Sequence, residues 1–162
     1  MKKPIKKLLS SLVPAIMLLS LFTGCEPNGP LPDYNSIIEN ASLQKSSQND
    51  DFEYYVYDTY IEITKYIGTS TEVSIPSEIE NLPVYVIGGF GSTNSNESLI
   101  TSVTIPYGVG VISENAFAYC KRLESVSMSN SVVKIENGAF ALCSRLDSIK
   151  LSNNLKTIAK RN

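Results

Sequence analysis

Two cysteines, Cys120 and Cys143, and two carboxylates, Glu124 and Asp147, recur at one spacing in this chain, and they are the residues from which chemistry could be built. Thiolates attack carbonyls or bind soft metals, and paired carboxylates run acid–base chemistry when burial drives their proton affinities apart. Both schemes need partners that the sequence withholds. Histidine is absent from all 162 residues, which removes the commonest general base and the usual imidazole ligand. Two sulfurs without an imidazole make a poor zinc site. Arg122 and Arg145 stand two residues ahead of Glu124 and Asp147, and such alternation of charge reads as a solvated outer face. Nothing supplies a cleft or an oriented nucleophile, so no catalytic residue, metal or cofactor is expected.

The shared spacing of these residues comes from a repeat. Ser102 to Glu124 reads SVTIPYGVGVISENAFAYCKRLE and Ser125 to Asp147 reads SVSMSNSVVKIENGAFALCSRLD, with ten of 23 places identical. A third copy opens at Ser148 and reaches Ile158 before its closing half. An earlier copy begins at Val73, which with Ile75, Pro76 and Ile79 lies 30 residues before Val103, Ile105, Pro106 and Val109. Its seven extra residues divide into five near Asn81 to Tyr85 and two in the Gly/Ser/Asn-rich stretch 88–98, where insertions would form surface loops. Leu123, Val126 and Met128, like Leu146, Ile149 and Leu151, follow the spacing L-x-x-L-x-L. That pattern predicts a short strand with its apolar residues turned into a common core. Ala116 to Cys120 and Ala139 to Cys143 fit a helical or 3₁₀ turn that brings the chain back and buries Phe117 and Phe140. No such unit closes its own core, so neighbours must stack.

The outward strand positions would be Ser102, Thr104, Ser125, Ser127, Ser148 and Lys150. They form two ladders of the kind along which solenoids bind ligands, and they are the candidate ligand-binding residues. Cys120 and Cys143 would be adjacent buried thiols behaving as small hydrophobes. An oxidising compartment would permit a disulfide, and rungs about 4.8 Å apart bring the backbones close enough, but parallel side chains cannot adopt the near-perpendicular torsion.

These residues resemble the BspA-like branch of leucine-rich repeats, marked by an alanine–phenylalanine pair, a cysteine three places later, a leucine three further on and a strand ending in a proline turn. Here those are Ala116, Phe117, Cys120, Leu123 and Ile105-Pro106. The resemblance implies a leucine-rich-repeat solenoid, mainly β, on a bacterial cell surface, where such proteins are often implicated in adhesion to host proteins or other cells.

The amino terminus reads as an address. Met1 to Lys7 is lysine-rich and Leu8 to Phe22 mostly apolar, the layout of a secretory signal rather than a membrane span, which needs about 20 apolar residues without a central proline such as Pro14. Leu21-Phe22-Thr23-Gly24-Cys25 resembles a lipobox, although Phe22 occupies the place where that family usually has leucine. The resemblance implies cleavage before Cys25, lipid attachment there and membrane anchorage without a spanning helix. Removing Lys2, Lys3, Lys6 and Lys7 leaves ten basic against 16 acidic side chains, which offers no footprint for nucleic acid.

The expected organisation is a signal peptide over 1–24, a lipidated cysteine and disordered Pro/Ser/Asn-rich tether over 25–50, a hairpin cap over 51–72, and repeats over 73–162 with the last incomplete. A short helical turn near Ile37 and Ile38 is the one element weighed within the tether. In the hairpin, Phe52, Tyr54 and Val56 would share one face, as would Ile61, Ile63 and Ile67, covering an apolar cross-section that would otherwise meet water. At the other end, the apolar Ile149, Leu151 and Ile158 would be left open, blunted by Lys160 and Arg161, which predicts weak self-association. The expected function is a protein-binding or adhesion module, with a non-binding structural fragment of a longer repeat protein as its rival.

Overall fold

The computed structural model describes residues 34–91 and 98–159. Its single described helix, α1 (Tyr34–Glu39), precedes three antiparallel strands, β1 (Leu43–Gln48), β2 (Phe52–Tyr57) and β3 (Ile61–Tyr66). The repeats then supply paired short strands: β4 (Glu72–Ser74) with β5 (Glu78–Ile79) and β6 (Leu82–Ile87); β7 (Ser102–Ile105) with β8 (Val111–Ile112); β9 (Ser125–Met128) with β10 (Lys134–Ile135); and β11 (Ser148–Lys150) with β12 (Thr157–Ile158). The result is a mostly β solenoid of about four turns. One strand of each rung enters a four-stranded sheet in the order β11-β9-β7-β4, and the other enters a larger sheet in the order β1-β2-β3-β6-β8-β10-β12.

Parallel pairing between rungs keeps like residues level. Val103 faces Val126 and Val126 faces Ile149 in the first sheet, while Ile112 faces Ile135 and Ile135 faces Ile158 in the second. Between the sheets lie Val103, Ile105, Val109, Ile112, Phe117, Cys120, Leu123, Val126, Met128, Val132 and Ile135, all buried. The aromatic rings form a column, with Phe90 and Phe117 centred 4.8 Å apart and Phe117 and Phe140 5.2 Å apart at an interplanar angle of 1°.

The return segments are chains of turns, not the helical or 3₁₀ turns that the sequence suggested. Ala116, Ala118, Cys120 and Leu123 each donate to the carbonyl three residues earlier. Helical propagation fails because Asn115 (φ 55°) and Tyr119 (φ 62°) adopt the left-handed region, as do Gly138 (φ 65°) and Leu142 (φ 59°) one rung on. The turns stack through their own backbone bonds, Phe117 N to Ala139 O at 2.7 Å and Tyr119 N to Ala141 O at 2.8 Å.

The insertions of the first rung fall where the repeat register placed them. Val73 faces Val103 but Val86 faces Val111, so the offset drops from 30 to 25 between them. The five residues make a hairpin of β5 on β6, whose turn residues Glu80 (φ 52°) and Asn81 (φ 62°) both lie in the left-handed region that a two-residue hairpin requires. The turn also reaches the amino-terminal strands: the Glu80 carboxylate takes Lys45 Nζ at 2.8 Å and the Tyr54 hydroxyl at 3.1 Å.

Two expectations need correction. The tether is not disordered from residue 34 onward: α1 lays Ile37 on Tyr60, Tyr85, Val86 and Val111, and β1 pairs with β2. The strand escaped notice because all but Ser47 of its residues are exposed and it is held by backbone pairing. In the hairpin, Tyr66 rather than Ile67 turns onto the core, since the register slips between Glu53 and Tyr54 and leaves Thr64 as an extra residue. In the fourth rung, Ile149 and Leu151 are 38% and 41% exposed, as expected of a rung with no described rung beyond it. The signal segment, Cys25, Lys160 and Arg161 fall outside the described residues.

A urea titration checks this packing. Phe117→Ala should cost about 3–5 kcal/mol, as removal of a fully buried aromatic does. Phe140→Ala should cost less because its ring is only half buried. Thr104→Ala, on the exposed face, should stay within about 0.5 kcal/mol.

Candidate binding surface

The alternation of β-strands brings all six candidate residues to one face. Two residues per strand point away from the core, and parallel pairing aligns them across the rungs. One row is Glu72, Ser102, Ser125 and Ser148; the other is Ser74, Thr104, Ser127 and Lys150. Thr104, Ser127, Ser148 and Lys150 are exposed, whereas Ser102 and Ser125 are half buried. Glu72 and Ser74 were missing from the sequence assignment, although the match of Val73 to Val103 placed them. Its outward rows bear hydroxyls with a cation at one end and an acid at the other, and carry no aromatic side chain.

The opposite sheet is covered in part. Tyr57 and Tyr60 stack with ring centroids 4.5 Å apart, and Tyr60 meets Tyr85 edge-on at 6.0 Å, over Val86 and Val111. A side chain at Gly110 would have its first carbon 2.5 Å from the Tyr85 ring, so only glycine allows this approach. Glu62, beside this cluster, accepts the Tyr57 hydroxyl at 3.1 Å, and burial raises its carboxyl above the usual range.

The cysteines stand at equivalent places as free thiols. Cys120 Sγ donates to Phe90 O at 3.3 Å and Cys143 Sγ to Phe117 O at 3.1 Å, so each thiol is tied to the backbone of the preceding rung. Burial pushes the Cys120 thiol up to about 11 and also raises Cys143. A neutral thiol is a weak nucleophile and metal ligand. Glu124 and Asp147 are exposed on the surface, away from any low-dielectric pocket that would set them to work as an acid–base pair. Among the described residues no helix is long and apolar enough to cross a membrane.

Short parallel strands stacked over a phenylalanine column, with a hydrogen-bonded cysteine in the return turns of the second and third rungs, define a leucine-rich-repeat solenoid. The chain belongs to the BspA-type leucine-rich-repeat family, whose six-copy repeat region matches residues 69–162. Three solved structures resemble it. A leucine-rich cell surface protein from Faecalibacterium prausnitzii A2-165 is 30% identical over 67% of this chain and 31% of its own, with a TM-score of 0.57. A leucine-rich-repeat protein from T. pallidum is 25% identical over 72% and 54%, at 0.62. One from Bacteroides capillosus ATCC 29799 is 30% identical over 74% and 100%, at 0.53. The chain thus spans 31% and 54% of the first two relatives' lengths. No curated protein matches it. Family and fold are those of bacterial surface proteins and are consistent with a protein-interaction module, a class that is typically non-enzymatic.

The thiols offer a direct check. Iodoacetamide at pH 8 should modify half-buried Cys143 before buried Cys120, and Cys120 only at the rate of unfolding. Because the folded-state value of Cys120 lies above that of an unfolded thiol, the folded state keeps the proton longer. Stability should therefore fall between the ordinary thiol range and about pH 11, read as a drop in melting temperature.

Proposed function

We propose that the chain is a lipid-anchored surface module that binds a protein ligand along the outward rows of its four-stranded sheet. The observation that carries the reading is the register itself, which sets Ser102, Ser125 and Ser148 in one row and Thr104, Ser127 and Lys150 in the next. An extended, repeated face lets many small contacts add up. The relatives support surface display, since one is described as a cell surface protein. Anchorage rests on the lipobox-like run ending at Cys25, and adhesion to host proteins or other cells is the use that fits both. The amino-terminal sheet, clasped by the Glu80 turn, serves as the cap of the first rung.

Two experiments test the reading. Protease added to intact cells should remove residues 34–159; persistence of the whole domain would exclude display on the outside. Cys25→Ala should release the protein from the membrane fraction after a carbonate wash, and its retention would refute lipid anchorage.

The fourth rung adds a second contact to the proposal. Ile149, Leu151 and Ile158 are 38%, 41% and 56% exposed, and β11 and β12 each lack a partner on one side among the described strands. Open strand edges of that kind pair with other chains. Weak self-association should raise the apparent sedimentation mass with concentration, and Ile158→Lys should suppress the rise; a concentration-independent monomer would remove this contact.

A further inference from the structure

The outward rows hold hydroxyls, one lysine and one glutamate, but none of the tyrosine or arginine side chains that usually anchor a protein interface. Such side chains lie on the return turns that lead into β9 and β11, two strands of that face. Tyr119 and Leu142 occupy equivalent places there, 47% and 53% exposed. Both take the left-handed backbone conformation, with φ of 62° and 59°, that bulky side chains rarely adopt. Tyr119 N donates to Ala141 O at 2.8 Å, so the two turns lie one upon the other and their side chains form one ridge.

Three residues further on, Arg122 and Arg145 form a second row, both exposed. Neither guanidinium joins an ion pair with a described residue. Like charges on adjacent rungs repel. The corner therefore carries two features that folding alone does not reward: an apolar ridge in a disfavoured backbone conformation and a row of cations that form no ion pair with a described residue. A ligand that brings an apolar side chain and a carboxylate together would satisfy both. Glu124 and Asp147 follow the arginines in a row of their own and are also exposed. They repel a carboxylate placed further along, so they confine the partner's acid to the arginine row and fix its direction over Ser125 and Ser148.

We infer that the corner formed by Tyr119, Arg122, Leu142 and Arg145 anchors an extended acidic segment of a protein partner, seating its apolar side chain on the ridge and its carboxylate on the arginines. This rests on the protein-binding reading and moves the anchoring contacts off the strands. The remainder of the partner's segment runs along the hydroxyl rows.

The full-length chain, held in a neutral-lipid nanodisc, provides the test. The probe is the peptide acetyl-Gly-Glu-Phe-Glu-Leu-Gly-amide, with one control that replaces Glu by Lys and another that replaces Phe and Leu by Ser. Hydrogen exchange should slow over residues 118–123 and 141–146 with the probe, and each control should bind about tenfold or more weakly by anisotropy of the labelled peptide. The double variant Tyr119→Gly, Leu142→Gly should lose affinity to a similar degree while melting at or above the parent temperature, since glycine accepts positive φ without strain. Arg122→Gln with Arg145→Gln should erase the preference for Glu over Lys. Protection confined to 102–105 and 125–128 would leave the binding reading standing and overturn the corner. Equal binding of the Lys peptide, absence of protection anywhere, or a lower melting temperature in the glycine variant would also overturn it. Display on the cell is decided separately by the protease experiment.

Discussion

A unit of 23 residues with two strands of two to four residues cannot hide its own apolar side chains, and every other feature follows from its need for a neighbour. The neighbour satisfies two demands at once. Parallel pairing consumes the strand donors and acceptors, while Phe90, Phe117 and Phe140 lie ring over ring in the space between the sheets. Neither would hold alone: the strands are too short to persist by backbone pairing, and the rings have no polar contacts to fix their level. The bond from each cysteine thiol to the phenylalanine carbonyl of the rung before ties column to backbone at each step.

The first rung shows what happens where the neighbour differs. Its larger-sheet strand β6 pairs on one side with β8 and on the other with β3, which belongs to the antiparallel amino-terminal strands. The five extra residues form a hairpin whose Glu80 meets Lys45 and Tyr54. Phe52 and Tyr66 contact the Phe90 ring at 6.2 and 5.8 Å and so extend the aromatic column beyond the repeats. At the far end, Phe140 is only half buried and the apolar residues of β11 and β12 lie open. The contrast between the two ends is a contrast in what lies beyond the last ring.

Periodicity made most of this legible from sequence. The 23-residue identity between Ser102 and Asp147 placed the strands, the inward residues and both phenylalanines, and even the division of the first rung's insertion could be read from apolar spacing. The features that stayed hidden lack such a signal. The run Leu43–Gln48 has no apolar alternation because backbone pairing to β2 holds it, and among the described side chains of α1 only Ile37 is fully buried. The extra residue Thr64 shifts which side of β3 faces inward, which no alternating pattern reveals. Left-handed residues at Tyr119 and Leu142 replaced the expected helical turn because their conformation contradicts what their side chains favour. Phe90 was missed because glycine, not alanine, flanks it on both sides. Of the binding face, the two rows were legible from alternation, whereas the corner became visible only when the left-handed turns stacked.

The constant offset between rungs also bears on how such a gene can change. From Ser102 to Ile158 each residue meets its counterpart at one fixed displacement, in both sheets. A copying slip that duplicated or deleted one whole rung would present the rungs on either side with the same faces as before. Rung number is thus a character that recombination can alter in single steps without disturbing the fold, while the irregular first rung, bound to strands that do not repeat, fixes the point from which the array is counted.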